Sequence, residues 1–305
     1  MQPIIECVPN FSEGRDASKI DAIETAIASA DGAVILHRSS DPDHNRSVIT
    51  FAGSPESVLE GAVRGTAAAA KLIDLRIHKG VHPRLGALDV LPFVPVRGAT
   101  LEDCVALAHR AGEKIWRELS IPVYFYEAAA WQPMRQRLEN VRRGEFEEIR
   151  EAALIDESRQ PDIGGPGLHS TAGAVIVGAR RFLIAFNINV RTSDLQVAKD
   201  IARAIRTSSG GLPAVKALGL PLMSRNLVQV SMNLTDFEQT GLYAVYNEIA
   251  RRAATRGVEI AGSELIGLMP RSAIEQAAAA FLKLENFDTQ RIVENRIESL
   301  AEGEQ

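Results

Sequence analysis

Apolar and polar residues alternate with a period of two in two segments of the second half of the chain. Residues 226–234 carry apolar side chains at every second position, and residues 182–190 place Asn187 and Asn189 opposite an apolar series. This period is typical of strands with one buried face. Such one-sided strands favour sheets with helices on a single face over a doubly wound parallel sheet.

Capping residues mark the predicted helix starts. Ser54 precedes Pro55 and Glu56, the order expected for an N-cap, a first helical residue and a first-turn acid. The capping-box spacing recurs three times and predicts helices that end near residues 119, 207 and 256. The predicted N-cap residues, each with its capping-box partner three positions later, are Thr100 with Asp103, Ser193 with Gln196, and Thr235 with Glu238.

The alternation of strands and helices predicts an open-faced α/β (α+β) architecture in two parts. A charged helical segment, 137–159, gives way to QPDIGGPGLHSTAGA, which is rich in glycine and proline, and a new strand is predicted from Phe182. We therefore expect an N-terminal subdomain at 1–179 and a C-terminal subdomain at 180–305. Each half contains a strand followed by a long helix, a weak indication of duplicated architecture.

Composition narrows the class of protein. The 305 residues are 46 % hydrophobic and 24 % charged with a formal net charge of −5, which excludes a disordered chain and gives no reason to expect nucleic acid or a membrane as partner. Cys7 and Cys104 are the only cysteines, and no CxxC pair is present. The N-terminus lacks a signal-peptide pattern and the longest apolar run, 172–179, is short. We expect a cytoplasmic location.

Histidine chemistry is concentrated between residues 74 and 86. Gly80 and Pro83 exclude a helix, so His82 is predicted to lie on a loop beside lysine and arginine. Neighbouring cations lower the pKa of a histidine and favour a neutral imidazole that acts as a general base. Two alternatives stay open: a metal site formed by His78 and His82 at i, i+4 spacing, and a structural loop histidine.

Two further segments carry candidate chemistry. In SSDPDHNR, residues 39–46, Asp41 can orient a partner and Arg46 can bind a carboxylate, although a solvated turn is an alternative. Residues 164–171 are rich in glycine and can present backbone N–H groups to a ligand, although they also fit a plain linker. The residues alone predict a two-part α/β enzyme with a histidine-centred site between its halves and an anionic substrate.

Five long segments resemble those of one known family. They are IIECVPNFSEGR (4–15), NRSVITFAGSPE (45–56), HKGVHPRLGALDVLPFVPVRG (78–98), VGARRFLIAFNINV (177–190) and NLVQVSMNLTDFEQTGL (226–242). In this order they resemble the glutamate formimidoyltransferase family, which includes the N-terminal half of formimidoyltransferase–cyclodeaminase.

The resemblance implies a fold and an activity. The fold is two subdomains, each a mixed β-sheet covered by helices as a ferredoxin-like sandwich, with a substrate tunnel between them and a homodimeric assembly. The activity is formimidoyl transfer from N-formimino-L-glutamate to N5 of tetrahydrofolate, which is a co-substrate, with no metal required. Alternatives within reach are a related formyl transfer and a non-catalytic folate-binding protein. No cyclodeaminase segment is recognised, so a separate protein is expected to deaminate the product.

The resemblance also implies residue roles. His82 is implied to be the catalytic residue. The family's assisting aspartate corresponds to Ser39 here, and we hypothesise that Asp41 takes over its role. Arg46 and Arg84 are candidates, by chemistry, for binding carboxylates of the substrates. The implied folate-binding loop comprises Gly164, Gly165, Pro166, Gly167, Leu168, His169, Ser170, Thr171, Ala172 and Gly173.

Overall fold

The computed structural model describes residues 2–80 and 82–303, with side chains up to residue 300. Its contacts divide the chain into two compact units, Met1–Arg180 and Arg181–Gln305.

The first unit is built on a seven-stranded sheet in the order β3-β4-(β1/β2)-β5-β7-β6. The first five strands are antiparallel and, with the two helices that connect them, form the βαββαβ order of a ferredoxin-like sandwich. The strands β5, β7 and β6 run parallel. The strands are β1 (Ile4–Cys7), β2 (Asn10–Phe11), β3 (Val34–Asp41), β4 (Arg46–Gly53), β5 (Leu88–Arg97), β6 (Val123–Glu127) and β7 (Val175–Ala179), and the helices are α1 (Ala17–Ala28), α2 (Pro55–Leu72), α3 (Leu101–Leu119), α4 (Leu138–Val141) and α5 (Glu145–Ala152).

Two apolar layers enclose this sheet. The larger core joins α1, α2 and α3 to the sheet through fully buried side chains such as Ile27, Phe51 and Phe93. A smaller cluster joins Tyr124 and Tyr126 of β6 to residues of α4 and α5. Burial of this much apolar surface supplies most of the stabilisation of such a unit.

The second unit is a four-stranded antiparallel sheet in the order β11-β8-β10-β9. With its two connecting helices it repeats the βαββαβ order, so the expected ferredoxin-like arrangement is confirmed in both units. Its elements are β8 (Ile184–Val190), α6 (Leu195–Ile205), β9 (Val215–Leu222), β10 (Leu227–Leu234), α7 (Leu242–Ala254), β11 (Ile260–Ile266), α8 (Arg271–Leu282) and α9 (Val293–Gly303).

The predicted helix starts agree with the structure in the first unit and shift in the second. Thr100 and Asp103 form both hydrogen bonds of a capping box at the start of α3. The predicted cap Ser193 is wrong by one residue, because Asp194 accepts from the N–H of residue 196 instead. The predicted cap Thr235 is also wrong. Asp236 closes a turn there, and α7 begins only at Leu242.

Several strands were not predicted from the sequence, and β7 is one of them. Residues 175–179 form β7, a fully buried strand between β5 and β6, although their uniform apolarity carries no period. The preceding glycine-rich segment bonds to the first unit through several backbone pairs, which argues against a plain linker. In the part of the chain that the structure describes, no helix is long and apolar enough to cross a membrane.

Candidate active site

A left-handed turn residue brings three of the sequence motifs together. Asn45 has φ = 50° and accepts a hydrogen bond from the Gly14 N–H at 2.9 Å, while its amide donates to the Lys79 carbonyl at 3.0 Å. A ring nitrogen of His78 lies 3.1 Å from the Asn45 carbonyl. A Cβ on either Gly14 or Gly80 would overlap the backbone of this turn. The glycines of both motifs therefore permit the close approach of three chain segments.

A β-bulge places a buried carboxylate in this region. The pairing register between β2 and β5 shifts by one residue, which leaves Asp89 as the extra residue on β5. Bulges of this kind re-aim a side chain and are common next to active sites. The Asp89 side chain is fully buried, and one of its oxygens accepts from the Leu85 N–H at 2.8 Å. It thereby fixes the chain that follows the His82 loop.

The other Asp89 oxygen holds two arginines. Arg46 donates to it at 3.2 Å and Arg142 at 2.5 Å. Arg46 also donates to Asn10 at 2.6 Å and lies 2.9 Å from Nδ1 of His82. Burial, the largest cause, lowers the pKa of Arg46 to about 10, although Asp89 opposes this effect. The Arg142 Nε is buried and has no hydrogen-bond partner among the described residues.

His82 is held so that its imidazole stays neutral near pH 7. Burial, and after it the charges of Arg46 and Arg142, lowers its pKa to about 4. Its Nδ1 lies 2.9 Å from Arg46 Nη1, which can only donate, and 2.7 Å from the Pro83 carbonyl, which can only accept. The neutral tautomer with an unprotonated Nδ1 accepts from Arg46, and the tautomer with a protonated Nδ1 donates to the Pro83 carbonyl. When Nδ1 donates to Pro83, the lone pair on Nε2 is free to accept a proton.

Asp41 is paired with a different histidine from the one expected. Its carboxylate lies 2.7 Å from Nδ1 of His44 and accepts the N–H groups of Asp43 and His44 at 2.9 Å each. Burial raises the pKa of Asp41, but the hydrogen bonds from His44 outweigh it and lower that pKa. Within residues 2–80 and 82–303, Asp41 makes no hydrogen bond to His82. The rings of His44 and His82 lie edge to face with centroids 6.3 Å apart.

The contacts of Arg84 do not support its candidate role. Its guanidinium pairs with Glu147 at 2.6 and 2.8 Å and with Glu145 at 3.2 Å. Its two remaining donors reach Nδ1 and the carbonyl of His78. All five N–H groups are therefore occupied, and none is left for a substrate carboxylate. By contrast, Arg142 keeps a buried Nε without a partner among the described residues, and the printed contacts of Arg46 use only part of its donors.

The metal alternative is likewise not favoured by the geometry. Both ring nitrogens of His78 are engaged, one by Arg84 and one by the Asn45 carbonyl. In the described ranges, no group of three or more His, Cys, Asp or Glu side chains is arranged to hold a metal ion.

The glycine-rich loop divides into two parts. In residues 164–168, Gly164 packs so closely on the ring of Trp116 that a Cβ there would overlap it. In residues 169–173, Ala172 accepts the N–H of Ala87 at 2.9 Å and Gly173 bridges Gly86. The second part is therefore attached to the strand entry that follows the His82 loop, and the first part is attached to α3.

Three residues of the cluster were not singled out from the sequence. Asp89 is a lone acid in the apolar run LDVLPFV, and that contrast could have identified it. Asn10 lies in the quoted motif without any sign of its role. Arg142 lies in a segment crowded with arginine and glutamate, and nothing local distinguishes it.

In this fold an uncharged histidine is flanked by two arginines that share one buried aspartate, an arrangement suited to acid–base chemistry. Two family profiles match the chain. "Formiminotransferase domain, N-terminal subdomain" matches residues 4–180, and "Formiminotransferase domain" matches residues 185–301. The chain belongs to the formiminotransferase family, and the resemblance inferred from its motifs is confirmed.

Curated relatives agree over nearly the whole chain. It is 45 % identical to glutamate formimidoyltransferase of Thermoplasma acidophilum, with 99 % of both chains covered. It is 43 % identical to glutamate formimidoyltransferase of Streptococcus pyogenes serotype M1, covering 97 % of this chain and 99 % of the relative. It is 44 % identical to formimidoyltransferase-cyclodeaminase of Rattus norvegicus, covering 97 % of this chain and 57 % of that protein.

Proposed function

We propose that this protein transfers the formimidoyl group of N-formimino-L-glutamate to N5 of tetrahydrofolate and releases L-glutamate, a step of histidine degradation and one-carbon metabolism. The observation that carries the proposal is the neutral, loop-held His82 within a chain that matches both formiminotransferase profiles. Two relatives named glutamate formimidoyltransferase match 99 % and 97 % of this chain, and their names support the choice of donor and acceptor.

His82 is the general base of the proposed reaction. N5 of tetrahydrofolate attacks the formimidoyl carbon, and Nε2 of His82 accepts the N5 proton. The tautomer that can do this has its Nδ1 proton on the Pro83 carbonyl, 2.7 Å away. General base catalysis of this kind contributes roughly 10²–10⁴-fold. The tetrahedral intermediate then collapses to release glutamate.

Two arginines bind the carboxylates of the substrates. Arg142 has a buried Nε without a partner among the described residues, and Arg46 uses only part of its donors on Asn10, Asp89 and His82. A substrate carboxylate would satisfy these donors through charge-assisted hydrogen bonds. Arg46 then moves its donor from His82 to the substrate, which favours the tautomer that acts as base.

The loop 164–173 contacts the folate. Gly164 and Gly173 have φ of 82° and 69°, and without side chains they let the loop pack closely on Trp116 and on the Leu85 carbonyl, which holds the loop in place. Support comes from the attachment of residues 172–173 to Gly86 and Ala87, a few positions after His82. The remaining finer proposals come from the family resemblance: a homodimer in the cytoplasm, and a separate cyclodeaminase that deaminates the product.

The test is an end-point assay of product. The purified protein is incubated with tetrahydrofolate and N-formimino-L-glutamate, the mixture is acidified, and 5,10-methenyltetrahydrofolate is measured by absorbance. We expect product with the wild type, a loss of at least about 10²-fold for His82→Ala, and turnover close to wild type for the matched control Arg84→Met. Product from N-formyl-L-glutamate alone would replace this function with formyl transfer. Tetrahydrofolate binding without product from either donor would leave a folate-binding protein.

A further inference from the structure

The turn 41–46 carries a second histidine with the arrangement of an acid–base group. Oδ2 of Asp41 lies 2.7 Å from Nδ1 of His44, and Oδ1 is fixed by two backbone N–H groups at 2.9 Å. Both side chains are about half exposed. A carboxylate on one ring nitrogen fixes the tautomer and leaves the other nitrogen for chemistry, as in the pairing of aspartate and histidine in hydrolase triads.

The turn that presents this pair is anchored to its neighbours. Asn45 ties it to Gly14 and to Lys79, and the Nε of Arg15 donates to the Pro42 carbonyl at 2.8 Å. The position of His44 is therefore set by the same contacts that set the His82 loop. Pre-organisation of this kind is what a catalytic group requires.

The two imidazoles lie close to each other. Their centroids are 6.3 Å apart at an interplanar angle of 64°. In each ring Nδ1 is engaged, by Asp41 in His44 and by Arg46 or Pro83 in His82. Each Nε2 has no protein partner among the described residues. Two such nitrogens suit a reaction in which one substrate nitrogen loses a proton and another gains one.

We propose that His44, oriented by Asp41, is the general acid that protonates the departing amine of glutamate. This inference rests on the proposed function and adds a second catalytic residue to it. Asp41 is then a positioning residue that acts through His44.

The proton balance of the step is complete. N5 forms its bond to the formimidoyl carbon while the C=N pair moves to the imino nitrogen, and His82 takes the N5 proton. In the collapse the C=N bond re-forms and the bond from carbon to the glutamate nitrogen breaks. The released electron pair stays on that nitrogen, which takes the proton of protonated His44. His82 ends with one proton more and His44 with one fewer, and exchange with water restores both.

The experiment compares kcat and KM of the full-length protein with four variants. We expect His44→Gln to lower kcat with N-formimino-L-glutamate by at least about 10²-fold, the lower end for general acid catalysis, with little change in KM. Asp41→Asn keeps the side-chain oxygen that accepts the backbone N–H groups of the turn, but it removes the negative charge beside His44. A smaller fall in kcat is therefore expected. Asp43→Asn is the matched control in the same turn and leaves kcat unchanged.

A chemical rescue separates catalysis from structure. His44→Ala opens a half-exposed site, and added imidazole should restore turnover, with substituted imidazoles of lower pKa giving faster rates at equal protonated concentration. A His44→Gln enzyme with the wild-type kcat would overturn the inference, since His82 would then serve both steps. Loss of activity without rescue by any imidazole would also overturn it. A wild-type protein inactive with formimidoyl and formyl donors would overturn the proposed function itself.

Discussion

The titration of His82 gives the most direct test of the site electrostatics. Arg46→Met removes the nearest charge, whose Nη1 lies 2.9 Å from Nδ1. Two unit charges about 4 Å apart interact by about 4 kcal/mol at an effective dielectric constant of 20, or about three pKa units. That exceeds the whole fall from 6.5 to about 4, of which burial is the larger cause. Solvent therefore screens the pair, and we expect the pKa of His82 to rise by about one unit.

The assay is an NMR titration of the histidine Cε1–H signals between about pH 3.5 and 8, with the His82 signal assigned from His82→Gln. The chain has six histidines, so the signals are few enough to follow. Arg84→Met is the matched control, because that arginine is paired with two glutamates and is not among the main causes of the lowered pKa of His82. A His82 that titrates near 6.5 in the wild type, or one that Arg46→Met leaves unmoved, would refute the reasoning.

Three further predictions concern stability. Asp89→Asn removes the buried charge shared by two largely buried arginines and should lower the free energy of unfolding by about 3–5 kcal/mol in urea denaturation. A loss below about 1 kcal/mol would contradict this prediction. Gly80→Ala places a methyl group on the Asn45 turn and should cost about 1–3 kcal/mol, whereas Gly262→Ala, which meets open space, should change the melting temperature little. His82 has a pKa of about 4 folded and 6.5 unfolded, so the stabilisation present above pH 6.5 is lost as the pH falls to 4. His82→Gln should reduce this pH-dependent loss in the free energy of unfolding by about 1–2 kcal/mol, which is about half of the ~3 kcal/mol expected for a fully buried ring. An unchanged pH dependence in the variant would contradict the assignment.

Short sequence patterns predicted the local structure correctly where only one structure fitted the pattern. The capping box of Thr100 and Asp103 is complete in the structure, because both partners lie within one turn of chain. The pattern at Thr235 is similar, yet Asp236 forms a competing turn and the helix begins later. The strand 175–179 could not be distinguished from a buried helix, because its place in the sheet depends on partners far away in the sequence.

The sequence predicted which loops form the site, but it did not predict the contacts that their side chains make. The sequence located His82 and Arg46 from charge and glycine, and it predicted the direction of the change in the pKa of His82. It could not predict that Asp41 bonds to His44, or that three donors of Arg84 bond to glutamates 61 and 63 residues later. Asp89 reaches the cluster through a bulge, which depends on strand register and not on residue type.

The position of β7 also determines when the first unit can form. This strand comes last in the sequence of the unit, yet it separates β5 from β6 in the sheet. During synthesis the ribosome must release residue 179 before β6 can join, although β6 itself ends at Glu127. Until then the nascent chain exposes the edge of β5, a surface that invites pairing with other chains. The attachment of the glycine-rich loop to Gly86 and Ala87 is completed in the same late event, so the site is assembled only when the sheet closes.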